Sequence, residues 1–294
     1  MQSFVVDTPT LSIGCEVTGP EDGRPVILLH GWPDDARTWD GVTPALHAAG
    51  WRTYVPFLRG FGPTRFRAGA AARSGQLVAL ALDLLDLADA LGLARFAVVG
   101  HDWGARAAYI ASVLEPDRVT RCAALSVGWG TQAADQPLSL QQMQNYWYHW
   151  LMATERGARL VEEDRLALTR HIWTIWNPGW TVPEPDFAAT AASFDNPDWA
   201  AITLHSYRVR WGHAAGHEAF DGIERRVARD PVIHVPTLTL HGGIDPCNEP
   251  ATSLGKEALF AAGYRRAVLE GVGHFPQRQR PDLVLAELVP FLGG

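Results

Sequence analysis

The string Val99-Gly100-His101-Asp102-Trp103-Gly104 sets a carboxylate between two glycines, where an apolar run, Arg95 to Val99, gives way to a helical pattern from Ala105 to Leu114. Glycines at Gly100 and Gly104 permit a turn tight enough to hold the central side chain out over a strand end. Serine in that place would attack an acyl carbon. A carboxylate attacking an acyl carbon yields only an anhydride, whereas at an sp3 carbon bearing a strained or good leaving group it forms an alkyl ester by in-line displacement. Water then opens that ester at the enzyme's own carbonyl carbon. Epoxide opening and carbon–halogen hydrolysis are reactions of this kind. The plainer reading of Asp102 is a helix N-cap.

Such a carboxylate needs partners. A base must activate the hydrolytic water, and His274, in Gly271-Val272-Gly273-His274-Phe275, follows the last apolar strand pattern. An acid must orient that histidine and stabilise its charged form. Asp245, in His241-Gly242-Gly243-Ile244-Asp245-Pro246, follows the strand pattern before it. The oxyanion of the ester-opening step needs N–H donors. His30-Gly31-Trp32-Pro33 follows another strand pattern, so the backbone amides of Trp32 and Trp103 are expected to converge on one point. The Trp32–Pro33 bond is expected to be cis, as sharp turns are where cis-proline occurs.

The elements that must hold these residues read as alternating strands and helices. Strands are expected at 11–17, 25–29, 52–56, 95–99 and 121–127, and helices at 37–49, 74–91 and 105–114. That rhythm implies a mostly parallel, twisted sheet covered on both faces. From Gly128 the text turns helical and rich in tryptophan, without a buried-strand pattern, until about Val227. The first rhythm then resumes, with strands at 237–240 and 266–269 and helices at 251–262 and 282–292. We read residues 1–128 and 229–294 as one core domain and 129–228 as an inserted helical cap.

The chain has 294 residues, 47 % hydrophobic and 19 % charged, with a net charge of −7. That composition suits a globular chain and argues against binding nucleic acid or an anionic membrane. The apolar stretch Leu77 to Leu93 carries Asp83, Asp86 and Asp89 at helical spacing, which reads as an amphipathic helix rather than a membrane span. No signal-peptide pattern is seen, so a cytoplasmic protein, monomer or homodimer, is expected. Cys15, Cys122 and Cys247 are too few and too scattered for a disulfide framework, and Cys247 reads as packing. No metal or cofactor is called for; the expected partners are a small lipophilic substrate and water.

These motifs, in the chain order nucleophile, acid, base, resemble the α/β-hydrolase superfamily over essentially the whole chain. Gly100-His101-Asp102-Trp103-Gly104 and His30-Gly31-Trp32-Pro33 together resemble its epoxide hydrolase and haloalkane dehalogenase branch, and Arg59-Gly60-Phe61-Gly62 is similar to a loop common in epoxide hydrolases. The resemblance implies cap tyrosines that serve a departing epoxide oxygen. His205-Ser206-Tyr207-Arg208 resembles the element carrying one, and Tyr146-Trp147-Tyr148-His149-Trp150 the region carrying the other. Two residues apart on a helix are separated by about 200°, so one of Tyr146 and Tyr148 is expected to face the site, and Tyr148 fits better.

A dehalogenase using the same triad is the alternative. Haloalkane dehalogenases usually have Asn where Trp32 stands. His149, Trp150 and Tyr207 resemble the halide pocket of fluoroacetate dehalogenases, and Arg106 matches the second arginine of their clamp, yet Trp103 stands where they have the first. A binding protein of this fold without turnover is the alternative from another class. The reading is an epoxide hydrolase with Asp102, Asp245, His274, Tyr148 and Tyr207 as catalytic residues. Trp32 and Trp103 supply the oxyanion amides, and Tyr146, His149 and Trp150 are pocket candidates.

Overall fold

The computed structural model describes residues 2–131 and 137–293. Its strands are β1 (Gln2–Asp7), β2 (Leu11–Thr18), β3 (Arg24–Leu29), β4 (Trp51–Pro56), β5 (Arg65–Phe66), β6 (Phe96–His101), β7 (Val119–Leu125), β8 (Thr237–Gly242) and β9 (Tyr264–Leu269). They form one sheet in the order β1-β2-β4-β3-β6-β7-β8-β9, with β5 on β2. Pairing is antiparallel from β1 to β4 and parallel from β4 through β9.

Helices α1 (Thr43–Ala48), α2 (Leu77–Ala90) and α3 (Trp103–Leu114) connect the first strands. β6 and β8 are buried at every position, as strands covered on both faces must be. Between β7 and β8 the described residues form no strand but a run of helices, α4 (Leu140–Asn145), α5 (Trp147–Met152), α6 (Glu155–Glu163), α7 (Arg165–Trp176), α8 (Glu184–Ala191), α9 (Trp199–Arg210) and α10 (Glu218–Arg229), with a 3-10 turn at Ala192–Asp195 and one isolated bridge from Ile233 to Phe260. Short helix α11 (Pro276–Gln279) and α12 (Pro281–Gly293) close the fold. Among the described residues, no helix is long and apolar enough to cross a membrane.

Three expectations change. The helix expected at 251–262 is only two short 3-10 turns, Pro250–Ser253 and Glu257–Leu259, because Gly255 between them has φ +69°, a left-handed backbone no helix accommodates. The helix expected at 37–49 is split into a 3-10 turn, Ala36–Trp39, and α1, which starts over Pro44. Asp83 does not lie on a solvated helix face. It is buried, and Arg59 grips it in a two-pronged ion pair, Nε to Oδ2 at 2.6 Å and Nη2 to Oδ1 at 2.7 Å.

Candidate active site

The tips of β3, β6, β8 and β9 all end on the same side, as parallel strands require, and their following loops carry the singled-out residues. Asp102 sits between β6 and α3 with φ 51° and ψ −112°, and its side chain makes no cap hydrogen bond to the helix it precedes. A non-glycine residue in that backbone region is strained. The flanking glycines make the turn possible: a Cβ on Gly100 would stand 2.2 Å from the Gly104 carbonyl oxygen, and one on Gly104 would stand 2.4 Å from that of Leu29. Asp102 therefore aims its carboxylate away from α3, which the N-cap reading does not explain.

The loop after β3 meets that carboxylate. Trp32 donates its backbone N–H to Asp102 Oδ1 at 3.0 Å, and the Trp32–Pro33 peptide is cis. Gly31 must lack a side chain here, since a Cβ would lie 2.4 Å from Asp102 Cβ. His30 braces the loop by accepting the Leu58 N–H on Nε2 at 3.0 Å. Burial pushes its imidazole down to about 4, so it stays neutral.

His274 faces the other carboxylate oxygen, with Nε2 at 3.8 Å from Asp102 Oδ2. That nitrogen is buried and has no hydrogen-bond partner among the described residues. The backbone of His274 is pinned on three sides. Its N–H donates to the Trp176 carbonyl at 2.9 Å, and its own carbonyl accepts from Ser126 Oγ at 2.8 Å and lies 2.7 Å from His101 Nε2. Burial holds His101 down near 4, so its neutral ring donates there.

The remaining nitrogen, Nδ1, meets Asp245 Oδ2 at 2.8 Å. Asp245 Oδ1 accepts the backbone N–H groups of Cys247 at 2.8 Å and Asn248 at 3.1 Å. Burial alone would push this carboxyl up; the His274 charge and hydrogen bond, with the His241 ring 3.6 Å away, outweigh it and hold it well below the usual range. For His274 burial likewise opposes the charged form, and Asp245 outweighs it, raising the imidazole well above an ordinary histidine. Cys247 Sγ lies close enough to Asp245 and His274 that the three could share an ion, although the two ionisable partners already satisfy one another.

The helical segment covers this group with aromatic rings. Tyr148 and Tyr207 are fully buried, their ring centres 5.2 Å apart, and both pack on the Trp32 indole, at 5.8 and 5.2 Å. The Tyr207 hydroxyl accepts from Trp103 Nε1 at 3.2 Å, and the Tyr148 hydroxyl lies 3.4 Å from Cys247 Sγ. Cys247 therefore touches a phenol of the site, a contact that its sequence neighbourhood did not announce. Tyr146 and Tyr148 are not on one helix: Tyr146 is the junction of α4 and α5, so the 200° argument does not apply to it. The Tyr146 hydroxyl donates to Asn248 Oδ1 at 2.8 Å, and its ring stacks on buried His149 at 4.2 Å. Trp150 is corrected from pocket residue to outer surface. It is 37 % exposed, and its indole donates to the Met143 carbonyl at 2.9 Å.

A model of the alpha/beta hydrolase fold matches residues 24–281. The chain belongs to this hydrolase family. Among curated proteins, this hydrolase is 29 % identical to epoxide hydrolase A of Mycobacterium tuberculosis, an alignment covering 99 % of this chain and 97 % of that one. Against epoxide hydrolase B of the same organism, identity is 31 % over 63 % of this chain and 53 % of the other. A crystal structure from Klebsiella pneumoniae, provisionally described as an epoxide hydrolase, superposes with a TM-score of 0.91 at 37 % identity, covering 99 % of this chain and 96 % of that one. This hydrolase also has a half-buried group near the site that sequence patterning passed over, Arg210 on α9, whose guanidinium lies over the Tyr207 ring at 4.9 Å. Nothing in the spacing of Arg208 and Arg210 distinguishes an inward arginine from a surface one.

Proposed function

We propose that this hydrolase opens epoxides to vicinal diols through an ester on Asp102, with the helices between β7 and β8 acting as its cap. The observation that carries the reading is the division of labour around one carboxylate. Oδ1 is held by the Trp32 amide, Oδ2 faces His274, and two phenols pack on the same Trp32 ring. Epoxide hydrolases among the relatives support the same class.

In this reading Oδ2 attacks an epoxide carbon in line with the breaking C–O bond, and the departing oxygen takes a proton from Tyr148 or Tyr207. His274 Nε2 then takes a proton from water, and the hydroxide adds to Asp102 Cγ. Charge builds on Oδ1, already beside the Trp32 N–H, with the Trp103 amide at the head of α3 as second donor. Breaking the Cγ–Oδ2 bond, with the proton of the added hydroxyl passing to the departing alkoxide, releases the diol with that oxygen, and the proton on His274 returns to the phenolate. Atoms balance as epoxide plus water to diol, and one carboxylate oxygen now comes from water.

Replacing His274 with Gln stalls the second half. Intact mass and peptide mapping after exposure to small epoxides and haloalkanes then read the chemistry directly. An adduct on Asp102 weighing the whole epoxide is expected. An alkyl adduct without halogen, and none from epoxides, would make the protein a dehalogenase instead.

A further inference from the structure

Besides Asp102, a second non-glycine residue has a left-handed backbone: Ser126, just past β7, with φ 64°. Such a conformation persists only where the surroundings over-determine it. Ser126 is fully buried, and all its polar groups are engaged. Its N–H donates to the Leu240 carbonyl at 2.8 Å, its hydroxyl donates to the His274 carbonyl at 2.8 Å, and its own carbonyl accepts from Asn248 Nδ2 at 3.0 Å. The strained turn thus aims a hydroxyl at the backbone of His274, and Asn248 holds the turn.

Asn248, three residues past Asp245, is buried and commits every polar group it has. Its backbone N–H donates to Asp245 Oδ1 at 3.1 Å, and its carbonyl accepts from His241 Nε2 at 2.9 Å. The Ser126 carbonyl can only accept, so the side-chain nitrogen faces Ser126. The side-chain oxygen therefore faces Tyr146, whose hydroxyl donates to it at 2.8 Å. Tyr146 is itself buried, at the junction of α4 and α5. Asn248 thus bears on both ends of the 2.8 Å bond between His274 Nδ1 and Asp245 Oδ2, on Asp245 directly and on His274 through Ser126. Its last acceptor goes to the helical segment between β7 and β8.

We propose that Asn248 is a positioning residue through which Tyr146 sets the aim of the His274–Asp245 pair, an inference that rests on the ester mechanism above. Burial gives these bonds leverage, since a buried polar group that loses its partner cannot turn to water instead. In that mechanism, formation of the Asp102 ester does not use His274, whereas hydrolysis of the ester does. The Tyr146–Asn248 bond therefore acts on the second half of the reaction. It ties activation of water to the seating of α4 and α5, so the base is in line only while those helices are docked over the strand ends.

Rapid-quench single turnovers of the whole protein, with styrene oxide and epoxyhexane as probes, separate ester formation from ester hydrolysis. Asn248→Ala is expected to slow hydrolysis at least about tenfold more than formation, the scale of one lost buried hydrogen bond. Tyr146→Phe, which removes a hydroxyl and keeps the ring, is expected to act in the same direction. Adding it to Asn248→Ala is expected to slow hydrolysis no further, because its effect runs through Asn248. The imidazole nitrogen resonances of His274 in NMR spectra are expected to move in both variants, which a packing defect elsewhere would not cause. Equal slowing of both steps by Asn248→Ala, or no slowing, overturns the proposal, as do additive effects of the two changes or unmoved His274 resonances. Should Asn248→Ala fail to fold, Tyr146→Phe decides alone, and hydrolysis at the unmodified rate overturns the proposal. Moved His274 resonances with no ester from either epoxide would instead leave Asn248 as a positioning residue and remove the epoxide reading.

Discussion

The indole N–H of Trp103 donates to the Tyr207 hydroxyl at 3.2 Å, so the residue after the elbow aspartate reaches across to α9. The phenol oxygen thus has a donor of its own, and its proton is left for a further acceptor. Tyr207→Phe should slow formation of the Asp102 adduct by roughly 10²- to 10⁴-fold, the range usual for general-acid assistance, and leave its hydrolysis nearly unchanged. Single-turnover kinetics separate the two steps. An equal slowing of both would take Tyr207 out of the ring-opening step.

Adduct hydrolysis needs His274 neutral, and Asp245 holds that imidazole well above the ordinary value. The rate of this step should therefore rise with pH through a midpoint above that of a free histidine, then level off. Asp245→Asn removes the opposite charge, so the midpoint should move to lower pH while the plateau falls by about 10²–10⁴-fold. Rapid-quench measurements across pH would show both. A midpoint that stays in place in the variant contradicts the assignment of Asp245.

Gly31→Ala puts a methyl group 2.4 Å from Asp102 Cβ. Either the loop after β3 or the elbow must move, which separates the Trp32 amide from Oδ1. Loss of at least about 10² in kcat, the scale of one lost oxyanion donor, is expected in a chain that still folds. Circular dichroism beside steady-state kinetics distinguishes this from unfolding.

Parts of this arrangement were legible in the sequence for a physical reason: each depends on local chain geometry. Gly100 and Gly104 announce a turn, alternating apolar runs announce strands, and the loops holding Asp245 and His274 follow from them. What was not legible depends on contacts across the fold. Asp83 looked like one of three acids on a wet helix face because its partner, Arg59, lies 24 positions away. Arg210 and the Cys247–Tyr148 contact are of the same kind. The split at Gly255 went unread for a different reason, since apolar spacing outweighed a single glycine.

The Arg59–Asp83 pair gives a stability prediction. Asp83→Ala leaves a buried guanidinium without its partner and should cost about 3–5 kcal/mol. Urea denaturation checks this, and a change below about 1 kcal/mol, the scale of an exposed pair, would mean that the pair is effectively solvated.

β7 and β8 lie side by side, Cys122 against Thr237, yet seven α-helices of the described residues separate them in the chain. Their pairing closes a very long loop, and sheets built on such distant contacts assemble slowly. On a ribosome, the strands through β7 would be out long before β8 could join them, leaving one flank of β7 exposed to other chains for that interval. The vulnerable moment in the life of this molecule is then its synthesis, and expression at lower temperature or with chaperones should raise its soluble yield more than any substitution at the surface.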